Sequence, residues 1–317
     1  MHGRTMSAWV GVPVGLLLLA PGAAAADHSI NTDDRAAVVS AYQAQLAPLL
    51  LVPTGWDGSL EECRAGNPSA QSQQAVLGAV NYMRAMAGLA PVRLSDKLSK
   101  RSQDTALIMA ANDIITHDLP KNVRCWSKDG YLGAKNGNLA LGYGWPAGSL
   151  ATVTGPRAVV SYMNDVGQGN EPVGHRRWLL FHKLAEIGNG DTDISNSLYV
   201  IGADQQRSAP NWVAWPTSGY FPRELEPYGR WSLTHPKADF RKAKVTVVTP
   251  QGPIAVDQAP VRIGYGDNTI SWDMQLPSEY AADPTSDYRV QVKVTGIRVG
   301  GKKITKEWTT TLVKATP

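Results

Sequence analysis

The chain has 317 residues, with 31 Lys and Arg against 27 Asp and Glu, and a formal net charge of +4. Charged residues are only 18% and hydrophobic ones 43%, which excludes a disordered or coiled-coil chain and supplies ample apolar mass for packed cores. The length suggests two domains, and so small a charge without a long basic run gives nucleic-acid binding no compositional support.

The first segment reads as an address. In MHGRTMSAWVGVPVGLLLLAPGAAAADHS, His2 and Arg4 precede an apolar run from about Ala8 to Ala20, a Pro21-Gly22 break and the small residues Ala23 to Ala26. This predicts a secretory signal over residues 1–26, cleaved near Ala26. The run is too short for the ~20 residues of a membrane-spanning helix, and no second one follows. The expectation is a secreted protein, extracellular or periplasmic, with no membrane span.

Residues 27–59 predict an N-terminal helix and a linker. Asp33 or Asp34 serves as N-cap, Val38, Val39, Tyr42 and Leu46 share a face, and Pro53, Gly55 and Gly58 make the loop. Residues 60–205 predict a helical domain. Its first helix carries Val76, Leu77, Val80 and Met83 and stops at Gly88; its second starts at Ser95-Asp96 and ends near Ile115. Residues 118–154 are rich in Gly, Pro and Asn and read as irregular. A third helix covers PRAVVSYMND from Pro156, and LAEIG (184–188) and SLYVIG (197–202) read as strands. A Pro- and Trp-rich connector spans 206–240. Residues 241–317 then give KVTVV, VRIGYG, NTISWDMQL, DYRVQVKVTG and KEWTTTLV. Tyr288, Val290, Val292 and Val294 alternate with polar residues, and Gly300-Gly301 is a hairpin signal. The prediction is an α+β chain whose helical part is followed by a small antiparallel β-sandwich domain.

In an oxidising compartment, Cys63 and Cys125 form the only possible intramolecular pair. They enclose a loop of 62 residues, for which chain entropy gives roughly 4 kcal/mol of stabilisation. A nucleophile or a metal ligand would instead need a free thiolate, which export disfavours.

Familiar catalytic patterns are missing: there is no esterase elbow, H-E-x-x-H, Walker A loop or dinucleotide fingerprint. His117, in DIITHDLP, and His175, in NEPVGHRRWLLFHKLAEIGNG, stand out by their surroundings. Here the chain resembles the CAP superfamily (SCP domain) of cysteine-rich secretory, antigen 5 and pathogenesis-related proteins. The likeness runs through AVNYMRAMAGLAPVRLSDKLSKRSQDTALIMAANDIITHD, NGNLALG, YMND and GHRRWLLFHKLAEIG, and V-A-W-P-x-x-G-Y looks like a bacterial secreted branch with a C-terminal β extension. It implies an α-β-α sandwich with a central cleft of two histidines and two acids. The histidines carry over to His117 and His175 and one acid to Asp165. The other acid's position holds Gly137, just before Asn138.

Several readings of these residues stay open. His117, His175, Asp165 and a water would formally satisfy Zn²⁺ or another divalent metal, or Asp165 would orient an imidazole as its hydrogen-bond partner. The two histidines are equally read as a structural hydrogen-bonded pair. Arg176 reads as an anion-recognising residue or as one that supports the fold, and Trp178 and Phe181 as core. The resemblance implies a non-enzymatic binding protein that requires no cofactor. Its His-lined cleft, with Asn138 and Arg176, would take a small apolar or cell-envelope ligand such as a lipid, sterol or wall fragment. The alternative is a metal-assisted hydrolase of peptides or wall material, with His117, Asp165 and His175 catalytic.

Overall fold

A computed structural model describes residues 29–142, 153–202 and 204–316, so the expected signal over 1–26 lies outside the described residues. Helix α1 (Arg35–Ala41) starts at Asp34, whose carboxylate accepts from the Ala36 and Ala37 amides. It runs on into a π-turn (Tyr42–Leu46) and buries Val38, Tyr42 and Leu46. Next come α2 (Ala70–Met86), β1 (Arg93–Leu94), α3 (Asp96–Asn112), α4 (Lys128–Asn136), β2 (Gly137–Leu141) and α5 (Gly155–Asn164). The helical part closes with α6 (Gly174–Leu179), β3 (Glu186–Asp191) and β4 (Ser195–Tyr199).

The four strands form one mixed sheet in the order β1-β3-β4-β2, with β1 parallel to β3. Helices cover both of its faces. Leu198 and Ala140 join the core of α2 and α5, while Leu139 packs with Ile108 and Met109 of α3 and with Ala134 of α4. This is the α-β-α sandwich. Helix α3 lies directly on β3 because Gly188 and Gly190 bear no side chain: a Cβ there would stand 2.1 Å from the Leu98 backbone and 2.2 Å from that of Gln103.

Part of the stretch 118–154, expected to be irregular, is ordered as α4 and β2. The glycines that suggested a loop are packing residues. Gly130 and Gly133 let α4 touch α3, where a Cβ would meet Ile108 and Thr105 at 2.4 and 2.2 Å.

The remaining strands are β5 (Val213–Trp215), β6 (Gly219–Pro222), β7 (Trp231–Thr234), β8 (Ala238–Asp239), β9 (Lys244–Thr249), β10 (Gly252–Ile254), β11 (Val256–Gln258), β12 (Thr269–Met274), β13 (Tyr288–Val299) and β14 (Lys302–Val313), with a short α7 (Ser278–Ala282) before β13. Two differences from expectation follow. The connector 206–240 contains β5 to β8, strands of two to four residues too short to show an alternation, of which β7 is buried throughout. VRIGYG is a loop between β11 and β12, since Gly264 and Gly266 take positive φ of 92° and 56°.

One sheet runs β10-β9-β13-β14-β6, with β8 also on β13, and the other runs β11-β12-β7-β5. In β13, Tyr288, Val290, Val292 and Val294 are buried while Arg289, Gln291 and Lys293 are exposed. Gly300 and Gly301, at φ 56° and 81°, turn β13 into β14. Trp215, Trp231 and Trp272 fill the interior, each at most 1% exposed.

The four-stranded sheet also faces the helical part, through polar side chains. Ser232 Oγ accepts from Arg176 Nη1 at 3.0 Å, and Ser271 Oγ donates to the Glu171 carbonyl at 2.5 Å. The apolar core runs without a break from α2 and α5 into the strands. Cys63 and Cys125 are disulfide-bonded.

Candidate functional site

A cleft of about 690 Å³ opens between the helical part and the β11–β12 loop, with His117, Asn138 and His175 in its lining. His117 follows α3, and its Nδ1 lies 2.7 Å from the Ala134 carbonyl. A carbonyl only accepts, so Nδ1 carries a proton and donates it there.

His175, on α6, is held in the same way by a carboxylate. Its Nδ1 is 2.6 Å from Asp165 Oδ1, and Asp165 Oδ2 accepts from the Arg176 amide at 3.0 Å. Asp165 caps α5 in the left-handed conformation (φ 52°), and its side chain is 0% exposed. It lies beneath the imidazole and does not line the cleft.

The Tyr162 ring stacks on His175 with centroids 5.4 Å apart, and its hydroxyl donates to Asn196 Oδ1 at 2.7 Å. Burial pushes that phenol well above its usual range, so it stays protonated as a donor. Asn138 completes this edge, donating from Nδ2 to the His175 carbonyl at 3.1 Å.

Arg176 does not reach the cleft. Its guanidinium is buried, with bonds to the carbonyls of Met163, Asn164 and Arg230 and to Ser232. Burial lowers its pKa to about 10, and the Asp165 charge opposes that fall. Arg177 likewise donates to the Asp267 and Arg262 carbonyls. Neighbours on a helix point about 100° apart, so residues 175 to 177 serve different surroundings.

The sequence reading missed Lys135, Arg262 and Tyr265, which line the cleft; Trp178 packs against the core, as expected, and also lines the cleft. Lys135 adjoins the NGNLALG segment, which is a usable signal. Nothing local marks Arg262 and Tyr265, because the fold brings their loop to α6.

A catalytic zinc takes three protein ligands and an open position. The cleft is lined by His117 and His175, whose Nδ1 atoms are already bonded, and among the described residues no three His, Cys, Asp or Glu gather to hold a metal. Asp165 is committed beneath His175. At Gly137 a Cβ would stand 2.8 Å from the Gly133 carbonyl oxygen, so a side chain there requires the backbone to shift. These donors do not fit a catalytic zinc centre.

Residues 77–203 match the family model for CAP, the cysteine-rich secretory protein family. That span covers α3 to α6, the sheet strands and both cleft histidines. No curated protein matches the chain.

Proposed function

We propose that this chain, whose residues 77–203 form a CAP domain, is an exported, non-enzymatic binding protein whose cleft takes a small lipid, sterol or cell-wall ligand. The cleft itself carries the reading. At about 690 Å³ it lies within the few hundred to 1,000 Å³ of small-molecule sites, and it joins an apolar wall to a few fixed polar groups. The disulfide and the N-terminal signal pattern support export. No helix of the described residues is long and apolar enough to cross a membrane.

The hydrolase reading has one observation in its favour, two imidazoles lining one cleft, and it lacks a third donor. Nuclear magnetic resonance on the mature chain, titrated with membrane lipids and with wall fragments, tests the binding reading. Shifts centred on Asn138, His175 and Trp178 are expected; shifts confined to other surfaces would overturn it. Calorimetry of the metal-stripped chain with Zn²⁺ tests the alternative. Micromolar or tighter binding (about 8 kcal/mol) that is lost in His117→Ala and His175→Ala, together with hydrolysis of a wall peptide, would replace binding by catalysis.

A further inference from the structure

We infer that the cleft selects an anionic amphiphile, with one phosphate monoester or carboxylate headgroup between Lys135 and Arg262 and an apolar body against Trp178 and Tyr265. This rests on the reading of the cleft as the binding site, and names the ligand class.

The lining contains two full cations, two imidazoles and three asparagines, but no Asp or Glu. Among the described residues neither cation is in an ion pair: Lys135 Nζ lies 5.9 Å from the Tyr131 ring centroid, and the Arg262 carbonyl accepts from Arg177. Three carboxylates beside the lining residues are hydrogen-bonded within the protein. Asp165 is held by His175, Asp267 by His182 at 2.7 Å, and Glu171 by the Gly169 amide at 2.9 Å. The lining itself therefore holds no carboxylate to pair with the two cations, and a ligand's anion would do so. Arg adds the fork that grips two oxygens of one phosphate or carboxylate.

The apolar half is equally specific. Trp178 stands edge-on to Phe181, and Tyr265 is 46% exposed beside Ile263 at 73%. Large apolar side chains left open next to a charged pocket suit the tail of an amphiphile.

The two cations come from different parts of the fold, Lys135 from α4 and Arg262 from the β11–β12 loop. Arg177, two residues after His175, fixes that loop at both ends by donating to the Arg262 and Asp267 carbonyls, each at 3.0 Å. Its guanidinium also lies 5.6 Å from the Tyr265 ring centroid. The β-rich region thus supplies one of the two cations, on a loop whose backbone is tied to α6.

The test is calorimetry on the full mature chain with octyl phosphate, octanoate and octyl glucoside, all below micelle formation. The two anions should bind about tenfold or more tighter than the glucoside, with the margin shrinking at high salt. Lys135→Gln and Arg262→Gln should each weaken the anions about fivefold and leave the glucoside unchanged. Lys135→Arg should retain binding, and Trp178→Ala should weaken all three probes. Whichever anion binds tighter identifies the headgroup. Equal binding of anions and glucoside, insensitive to both Gln variants but lost in Trp178→Ala, overturns charge selection and leaves the cleft as the site. Binding that Trp178→Ala and His175→Ala do not change overturns the cleft reading itself.

Discussion

Two interior regions of this chain, the polar cluster on β3 and β4 and the tryptophan-filled interior of the β-rich sheets, are held in different ways. Strands β3 and β4 enclose Asn189, Asp191, Ser195, Asn196 and Ser197, none more than 1% exposed. The sheets of the β-rich region enclose Trp215, Trp231, Trp272, Val290 and Ile297. One interior depends on directional bonds that must all be made, the other on apolar area and shape. In the first, Asp191 accepts from the Gly155 amide, Asn189 Nδ2 and Asn196 Nδ2, each at 2.8 Å, and Asn196 in turn accepts from Tyr162 against His175. The cleft histidine is thereby tied to the polar interior. A polar core fixes a position more sharply than an apolar one, at greater risk from a single substitution.

The largest effect should come from Asp191→Ala. It strands three buried donors, each worth about 1–3 kcal/mol when left unmade, for a loss of about 4 kcal/mol or more in urea denaturation. Burial raises the Asp191 carboxyl above its usual range while its three donors pull it down, so Asp191→Asn should recover part of the loss. Tolerance of Asp191→Leu would break the contrast. Next comes the seam, where Arg176→Met leaves the Met163, Asn164 and Arg230 carbonyls without their donor. A loss of about 3 kcal/mol is expected, with the four-stranded sheet loosening in hydrogen exchange. Unchanged protection there would mean that the apolar core alone holds the regions together.

The same contrast explains what the sequence disclosed. In β13 the buried residues alternate strictly with charged ones, and the strand was readable from Tyr288, Val290, Val292 and Val294 alone. Strands β3 and β4 were only half readable, because LAEIG and SLYVIG are their apolar shoulders while EIGNGD and SNSLY bury polar groups that carry no hydrophobic period. Helix α4 was missed because glycine, a loop signal in isolation, is here the residue that lets two helices touch. His117, Asn138 and His175 were found through ordered motifs and do share a cleft. Arg176 was misplaced because one helical step turns a side chain from the cleft into the seam. Arg262 and Tyr265 stayed hidden because a contact between residues this far apart in sequence leaves no local pattern.

A smaller effect sharpens the apolar side of the comparison. Ile270, fully buried on β12, lies in a packed interior with no bond to satisfy. Ile270→Val should cost about 0.5–1.5 kcal/mol by the lost methyl and the space left behind. Thermal or urea unfolding measures it, and a loss as large as that of Asp191→Ala would erase the distinction between the two interiors.

The smallest effect concerns a polar group stranded on the aromatic side. His235 is buried against Trp212, with ring centroids 4.4 Å apart, and its Nδ1 accepts from the Lys237 amide at 3.0 Å. Burial lowers its pKa, Lys237 and Lys306 push the same way, and Asp267 opposes them. The unfolded chain therefore takes up this proton first as pH falls past about 6.5, and between the two pKa values it holds more protons than the folded one. Stability from this residue is full above that pH and declines below it. In His235→Gln the decline should flatten relative to the parent chain, measured by urea midpoints between about pH 5 and 8. An identical pH profile in the two proteins would show that the ring is free to charge where it sits, and that the aromatic interior is less sealed against polar groups than its packing indicates.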